Sequence, residues 1–265
     1  MMAAPAVSVL MGVRDGAAWL SRAIASVLGQ TLTDLELVVV DDGSTDGTAA
    51  LLSAVRDPRL VAERQDRAGL TVALNRALGR ARAPLIARLD ADDVALPTRL
   101  ERQRAFLQGH PEVGLLGTAA RVVDGSGRDR EIIQPPEDDR AIRRALIRRN
   151  PFVHSSVMAR RALVSSVGGY DVSFPVAQDY DLWLRLSSLT RMANLAEPLV
   201  VRHLVAGRVT AARDGERLRA EARARWRAVR SGAYPPWGAL FALRPLLALG
   251  LPGRLRGPLR RALGR

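Results

Sequence analysis

The sequence predicts an α/β fold: a mostly parallel sheet with helices on both faces, followed by a basic helical tail. Three observations lead there. From Val7 to Asp93, short apolar runs alternate with stretches of helical periodicity, the β-α-β order that builds parallel sheets through right-handed crossovers. The run Leu35 to Val40 is almost wholly apolar, as a strand covered on both faces must be. Two of these runs end in acids, Asp41-Asp42 and Asp90-Ala91-Asp92-Asp93, at strand carboxyl ends, where open α/β sheets bind ligands.

The elements follow in order. Val7 to Val13 is a first strand, and Leu20, Ile24, Val27 and Leu28 predict a helix from about Ala17 to Leu28. After the second strand, the loop Asp41 to Thr48 (DDGSTDGT) leads to a helix carrying Leu51, Leu52 and Val55 inward. Arg59 to Glu63 is a short third strand, Leu70 to Arg80 a helix, and Leu85 onward a fourth strand running into the acids. Pro97 opens a helix to Leu107, Val113 to Val123 reads as strands broken by Gly114 and Gly117, and Asp124 to Gly127 is a hairpin turn. Glu137 to Arg149 places acids first and arginines last, in line with a helix dipole. Asn150 to Ser156 enters another strand, Gly168 to Asp171 is a turn, Gln178 opens an amphipathic helix, and Leu195 to Leu204 is a last strand or strand pair.

Bulk properties narrow the classes. The 265 residues are 48% hydrophobic, enough for one large domain with an appendage. There is no cysteine, hence no disulfide and no thiolate metal site. The first ten residues show no basic region before an apolar run, so no signal peptide is expected, and no apolar run reaches bilayer length. The net charge is +13, and every basic residue is arginine, a pattern of GC-rich coding that lowers the weight of any single one. From Arg202 onward, 15 arginines face three acids, whereas residues 1 to 201 are nearly neutral. The asymmetry divides the chain into residues 1–205 and a basic extension, 206–265.

Three stretches carry chemistry. Asp90, Asp92 and Asp93 repel one another, which a divalent cation, Mg²⁺ or Mn²⁺, would relieve; the alternative is capping of the helix near Pro97. In DDGSTDGT, small residues let backbone approach a ligand while Asp41 and Asp42 accept hydrogen bonds from it; the alternative is a cap from Ser44, Thr45 or Asp46. Asp179 is an acid at a helix start, where it is a plausible cap. No GxGxxG follows the first strand and no GxxxxGK[ST] occurs, so dinucleotide and P-loop readings lack their phosphate-binding device.

The stretches VSVLMGV, LELVVVDDGSTDGT, ALNRAL, LIARLDADD, HSSVMARRAL, GGYD and QDYDLWLRL occur in an order that resembles the family 2 glycosyltransferases, over roughly residues 5 to 205. The resemblance implies a GT-A fold, a Rossmann-like nucleotide-binding layer, and inverting transfer of a sugar from a nucleotide-sugar donor, UDP-sugar being the commonest, to an acceptor hydroxyl in cell-surface polysaccharide or glycolipid synthesis. It implies that Asp41, Asp42 and Asn75 hold the donor. Asp90 and Asp92 form the DxD pair on ribose and metal, and Asp179 is the base. Gln178-Asp179 departs from the family's Glu-Asp, and MGVRDG departs from its Pro and Asn in the first loop. His154 is a candidate contact to acceptor or diphosphate, or a local hydrogen-bonding residue. Trp183 is a core residue or an acceptor contact, and Arg64 and Arg67 are solvated or reach the diphosphate. Competing readings are a sugar-1-phosphate nucleotidyltransferase, which should carry a Gly-rich basic loop after the first strand, and a non-catalytic nucleotide-sugar-binding module. With few interleaved aromatics, the tail is not expected to bind nucleic acid.

The tail has two readings. Asp214 to Arg230 is a charged helix, and Trp237 to Leu251 is apolar except for Arg244, with Pro245 expected to break it. That stretch is too short and polar to span a bilayer but suits a helix in the interface, anchored by Trp237 and Phe241, with Arg254, Arg256, Arg260, Arg261 and Arg265 on anionic headgroups. The catalytic domain would then be cytoplasmic, peripheral to the inner face of the membrane, with a saccharide or lipid-linked acceptor. In the alternative, Leu240, Leu243, Leu246 and Leu247 pack on the domain.

Overall fold

The computed structural model describes residues 4–204 and 214–249. One sheet contains β1 (Val7–Val13), β2 (Leu35–Asp42), β3 (Leu60–Gln65), β4 (Leu85–Arg88), β5 (Val94–Ala95), β6 (Val113–Val123), β7 (Asp129–Ile133), β8 (Met158–Arg160) and β9 (Arg191–His203). The helices are α1 (Leu20–Leu28), α2 (Thr48–Ala54), α3 (Leu70–Arg80), α4 (Arg99–Gly109), α5 (Asp139–Leu146), α6 (Arg161–Ser166), α7 (Gln178–Leu186), α8 (Asp214–Arg230) and α9 (Ala239–Leu249). The strand order is β3-β2-β1-β4-β8-β6-β9-β5, with β7 beside β6. β1 runs parallel to β2 and β4, β2 to β3, and β6 to β9; β8, inserted between β4 and β6, is antiparallel to both. Strand order reverses between β1 and β4, which opens a crevice at the carboxyl ends of these strands.

Burial follows the two-residue period of a strand. Val7, Val9 and Met11 of β1 pack with Leu20, Ile24 and Val27 of α1 on one face, while Leu10 joins Ala73, Leu74 and Ala77 of α3 on the other. Every residue of β1 and β2 is buried, which is why these runs are continuously apolar rather than alternating.

The structure differs from the expectation at several ends. Val113 to Val123 is one strand, not broken ones: a Cβ on Gly117 would meet Asn194 Oδ1 at 2.1 Å, so the glycine serves close approach. The helix expected over Glu137–Arg149 shortens to α5, with Asp138 as its cap accepting the Ala141 N–H at 2.9 Å. β9 begins four residues earlier than expected because it pairs along the whole of β6.

The tail's first helix is tied to the sheet-bearing part of the molecule. Ala220, Ala224 and Ala228 of α8 lie in one apolar cluster with Leu182, Trp183 and Leu186 of α7. Arg225 is buried and donates to Tyr180 Oη at 2.8 Å, and Arg227 reaches Asp171 at 2.8 Å and Asp181 at 3.1 Å. Arg225 and Arg227 thereby fasten the helix to the rest of the molecule. In α9 the helix runs through Pro245. Ala242 is buried and Phe241 packs inward, whereas Trp237, Leu240 and Leu243 face solvent. Phe241 is thus not the outward anchor the sequence suggested, and Leu246, Leu247 and the five last arginines lie outside the described side chains. Among the described residues no helix is long and apolar enough to cross a membrane.

Candidate active site

β2 extends two residues past its predicted end because Asp41 still pairs with Val13 on one side, and Asp41 and Asp42 with Arg64 and Gln65 on the other. Asp42 accepts from Gln65 Nε2 at 2.8 Å and from the backbone N–H groups of Ala68 and Gly69 at 2.7 and 2.8 Å, so it shapes the loop leading into α3. Asp41 is different. Its Oδ1 accepts the Ser44 N–H at 2.9 Å, while its buried Oδ2 has no hydrogen-bond partner among the described residues and lies 3.8 Å from Arg64 Nε. A buried carboxylate oxygen without a donor is costly unless a ligand supplies one. Gly43 sits at φ +67, and a Cβ there would meet the Arg67 backbone nitrogen at 2.9 Å, so the turn requires glycine.

The first loop, which departs from the family pattern, is held by the same segment. Asp15 adopts φ 49, tolerable for Asp, and accepts the Thr45 N–H at 2.8 Å. Asp46 accepts the Ala17 N–H at 3.0 Å and the Thr48 N–H at 3.0 Å, tying the start of α2 to the first loop.

Beyond β4, carboxylate oxygens of Asp90, Asp92 and Asp93 lie within 4.8 Å of one another. The helix-cap alternative is not realised: α4 is preceded by Thr98, with no side-chain cap bond. Arg88, almost fully buried at the end of β4, ion-pairs with Asp90. Ser155 Oγ lies 2.7 Å from Asp90 Oδ2 and 2.6 Å from Asp93 Oδ2, and accepts the Asp90 N–H at 3.2 Å. Burial pushes the Asp90 carboxyl up, but Arg88, His154, the Ser155 hydroxyl and Arg202 together hold it well below the usual carboxylate range. Asp93 is pushed up to about 7, by burial first and then by the charges of Asp90 and Asp92. The geometry agrees: one hydroxyl proton cannot serve two carboxylates at once, so a protonated Asp93 supplies the second bond. Oxygen donors this close, with repulsion left over after Arg88, fit a divalent cation.

The helix α7 brings a further carboxylate, Asp179. It starts after Ala177 at φ 56, so Asp179 is on the first turn and is not the cap. Asp179 is half-buried, and its Oδ2 accepts from Asn150 Nδ2 at 2.7 Å. The 3-10 turn His154–Ser156 presents His154 and Ser155 together. His154 Nε2 is 3.1 Å from Tyr170 Oη. Burial first and the Arg88 charge next lower its pKa to about 4, against the opposing pull of Asp179 and Asp90, so the imidazole is neutral at working pH and senses both carboxylates.

Two residues are placed elsewhere. Trp183 is 1% exposed, its ring 5.8 Å from Phe152 and 6.2 Å from His154, so it backs the histidine from inside the core and offers no surface to an acceptor. Asn75 does not join the acids: Nδ2 donates to the Tyr170 carbonyl at 2.7 Å and Oδ1 accepts the Tyr170 N–H at 2.9 Å, which clamps the Gly168–Asp171 turn to α3. Sequence reasoning assigned no role to Arg88 or Ser155. Their signals were a cation inside an apolar strand and a doubled serine after His154.

A curled, mostly parallel sheet with acids at the ends of β2 and β4, faced by a carboxylate on α7, is the layout of a GT-A glycosyltransferase. The sequence model described as Glycosyl transferase family 2 matches residues 8–168, and the chain belongs to that family. It is 34% identical over 191 residues to the putative glycosyltransferase EpsE of Bacillus subtilis, covering 70% of this chain and 68% of that protein. It is 28% identical over 188 residues to the Escherichia coli UDP-Gal:alpha-D-GlcNAc-diphosphoundecaprenol beta-1,3-galactosyltransferase, covering 68% and 67%. S. aureus TarS 1-349 in complex with UDP shares the fold at TM-score 0.69 and 18% identity, covering 96% of this chain and 77% of that one. The mannosyltransferase PcManGT of Pyrobaculum calidifontis, with GDP-Man and Mn²⁺, does so at TM-score 0.65 and 22% identity, covering 97% and 79%. The protein is therefore a glycosyltransferase. Family membership sets aside the nucleotidyltransferase alternative.

Proposed function

We propose that the chain transfers a sugar, with inversion, from a UDP-sugar to a hydroxyl of a lipid-linked saccharide during cell-surface glycan synthesis, with residues 1–205 as catalytic domain and 206–265 as a membrane-facing extension. The observation that carries it is the buried Oδ2 of Asp41 at the end of β2, without a hydrogen-bond donor among the described residues, together with the acid triad that follows β4. The base edge's N–H satisfies Asp41, Asp42 holds the loop under the nucleoside, and Asp90, steadied by Arg88 and Ser155, faces the ribose. Mg²⁺ or Mn²⁺ held by Asp92 and Asp90 would neutralise charge on the leaving diphosphate. Asp179 takes the proton of the acceptor hydroxyl as its oxygen bonds to the anomeric carbon from the face opposite the diphosphate; the carbon–oxygen bond to the phosphate breaks and UDP leaves. Neutral His154 offers the acceptor or diphosphate a hydrogen bond without adding charge. The lipid-linked acceptor is supported by the acceptor named for the Escherichia coli relative. Placement on the cytoplasmic side is supported by the basic extension, since that leaflet is anionic.

A thermal-shift screen of UDP-, GDP- and dTDP-sugars with and without Mn²⁺ tests the reading. A bound donor at a hundredfold excess over its Kd stabilises by about 2.7 kcal/mol, a readily visible shift. UDP-sugars should stabilise and depend on the metal. No response to any nucleotide sugar would remove the reading.

A further inference from the structure

The last two helices carry an apolar ridge that none of the described residues covers. Gly238 seats α9 closely, since a Cβ there would lie 3.1 Å from Val229 and 3.5 Å from Ile147. Ala242 and Phe241 complete the inward face. On the outward side, Leu240 and Leu243 of α9 are 66% and 50% exposed, three residues apart on neighbouring turns, and Trp237, in the 3-10 turn just before α9 with its ring 6.2 Å from that of Phe241, is 57% exposed. Large apolar side chains exposed together mark an interaction surface.

The ridge has a basic rim. The Arg148 guanidinium lies 5.2 Å from the centre of the Phe241 ring and that of Arg244 5.8 Å from it. Arg148 and its neighbour Arg149 are exposed. By sequence, residues 231–265 contain six arginines and no acid, and five of the six lie outside the described residues. Asn150, two residues beyond Arg148 in the chain, bonds Asp179, the proposed base.

We infer that Trp237, Leu240 and Leu243 insert into the headgroup region of a bilayer rich in anionic phospholipid, with Arg148 at the phosphates, holding Asp179 beside the membrane. The inference rests on the proposed lipid-linked acceptor and adds the face that meets the lipid. The charge selects this occupant: a second copy would bring two basic rims together, whereas anionic lipid is complementary to both ridge and rim.

The test is co-sedimentation of the full chain with phosphatidylcholine vesicles, with and without phosphatidylglycerol, at low and high salt. The parent should bind only the anionic vesicles, and less in high salt. Trp237→Gln/Leu240→Gln/Leu243→Gln should lower partitioning by about tenfold or more. Arg148→Gln should lower it by about fivefold at low salt and less at high salt. Because these side chains are exposed, thermal midpoint and UDP affinity should stay parental. The inference is overturned if the triple variant binds as the parent does, or if neutral vesicles bind equally well. It is also overturned if vesicles are ignored while light scattering shows a dimer that the triple variant dissolves. A chain that ignores vesicles yet turns over a UDP-sugar in solution refutes the docking face and leaves the glycosyltransferase reading intact. A chain that binds anionic vesicles through the ridge but no nucleotide sugar supports the face and refutes that reading.

Discussion

Ser155→Ala removes a hydroxyl that no other side chain can replace. It reaches Asp90 at 2.7 Å and Asp93 at 2.6 Å, and it is 1% exposed. A hydrogen bond to a charged group is worth about 1.5–3 kcal/mol. After the change Asp90 keeps Arg88, and Asp93 keeps the His203 N–H at 3.1 Å and Arg202 at 3.9 Å. The loss should therefore lie low in that range, about 1.5–2 kcal/mol, or roughly 10–30-fold in divalent-metal affinity. Calorimetric titration of Mn²⁺ in the presence of UDP reads it directly, and kcat/KM should fall in proportion. Metal affinity within about twofold of the parent would show that Ser155 fills space and does not orient the acids.

Three further outcomes follow from the same geometry. Asp93, raised to about 7 from an ordinary 3.8, favours the folded metal-free protein fully below about pH 4, and this contribution is lost as pH rises through about 7; metal binding should therefore release a proton at pH 6 and almost none at pH 8, measured by calorimetry in buffers of different ionisation enthalpy, and equal release at both would refute the assignment. Asp181→Leu strands Arg185 and Arg227, which reach it at 2.8 and 3.1 Å; since both arginines touch solvent, chemical denaturation should show a loss of about 2–3 kcal/mol, and a neutral effect would deny that this pair fastens α8. Asn75→Ala, which loses both bonds to Tyr170, should lower stability by about 1–3 kcal/mol while leaving UDP affinity parental, and a donor-affinity loss larger than tenfold would return Asn75 to the donor site.

Much of the fold was legible because burial and periodicity coincide. α3 and α8 lie over the ranges read from the sequence, and β1 does as well. The acids were legible as clusters, since carboxylates crowded at strand ends are hard to explain by local structure. Partners were not. Nothing local reveals that Ser155 reaches across 65 residues to Asp90, or that Asn75 clamps a turn 95 residues away. Helical spacing put Trp183 on an apolar stripe but could not say that the stripe faces Phe152 and His154. The tail's net charge was readable, but not the division between arginines that fasten α8 and those that rim the exposed ridge, which depends on Asp171, Asp181 and Tyr180 meeting the helix in space.

The central claim is that Asp179 is the base opposite a metal-dependent donor site, and Asp179→Asn tests it most directly. Asparagine keeps the shape and can still accept from Asn150, yet it cannot take the acceptor's proton. Turnover measured as UDP release in the presence of acceptor should fall by about 10²–10⁴, with UDP affinity unchanged. Parental turnover, or a loss of UDP affinity matching the loss of rate, would contradict the account.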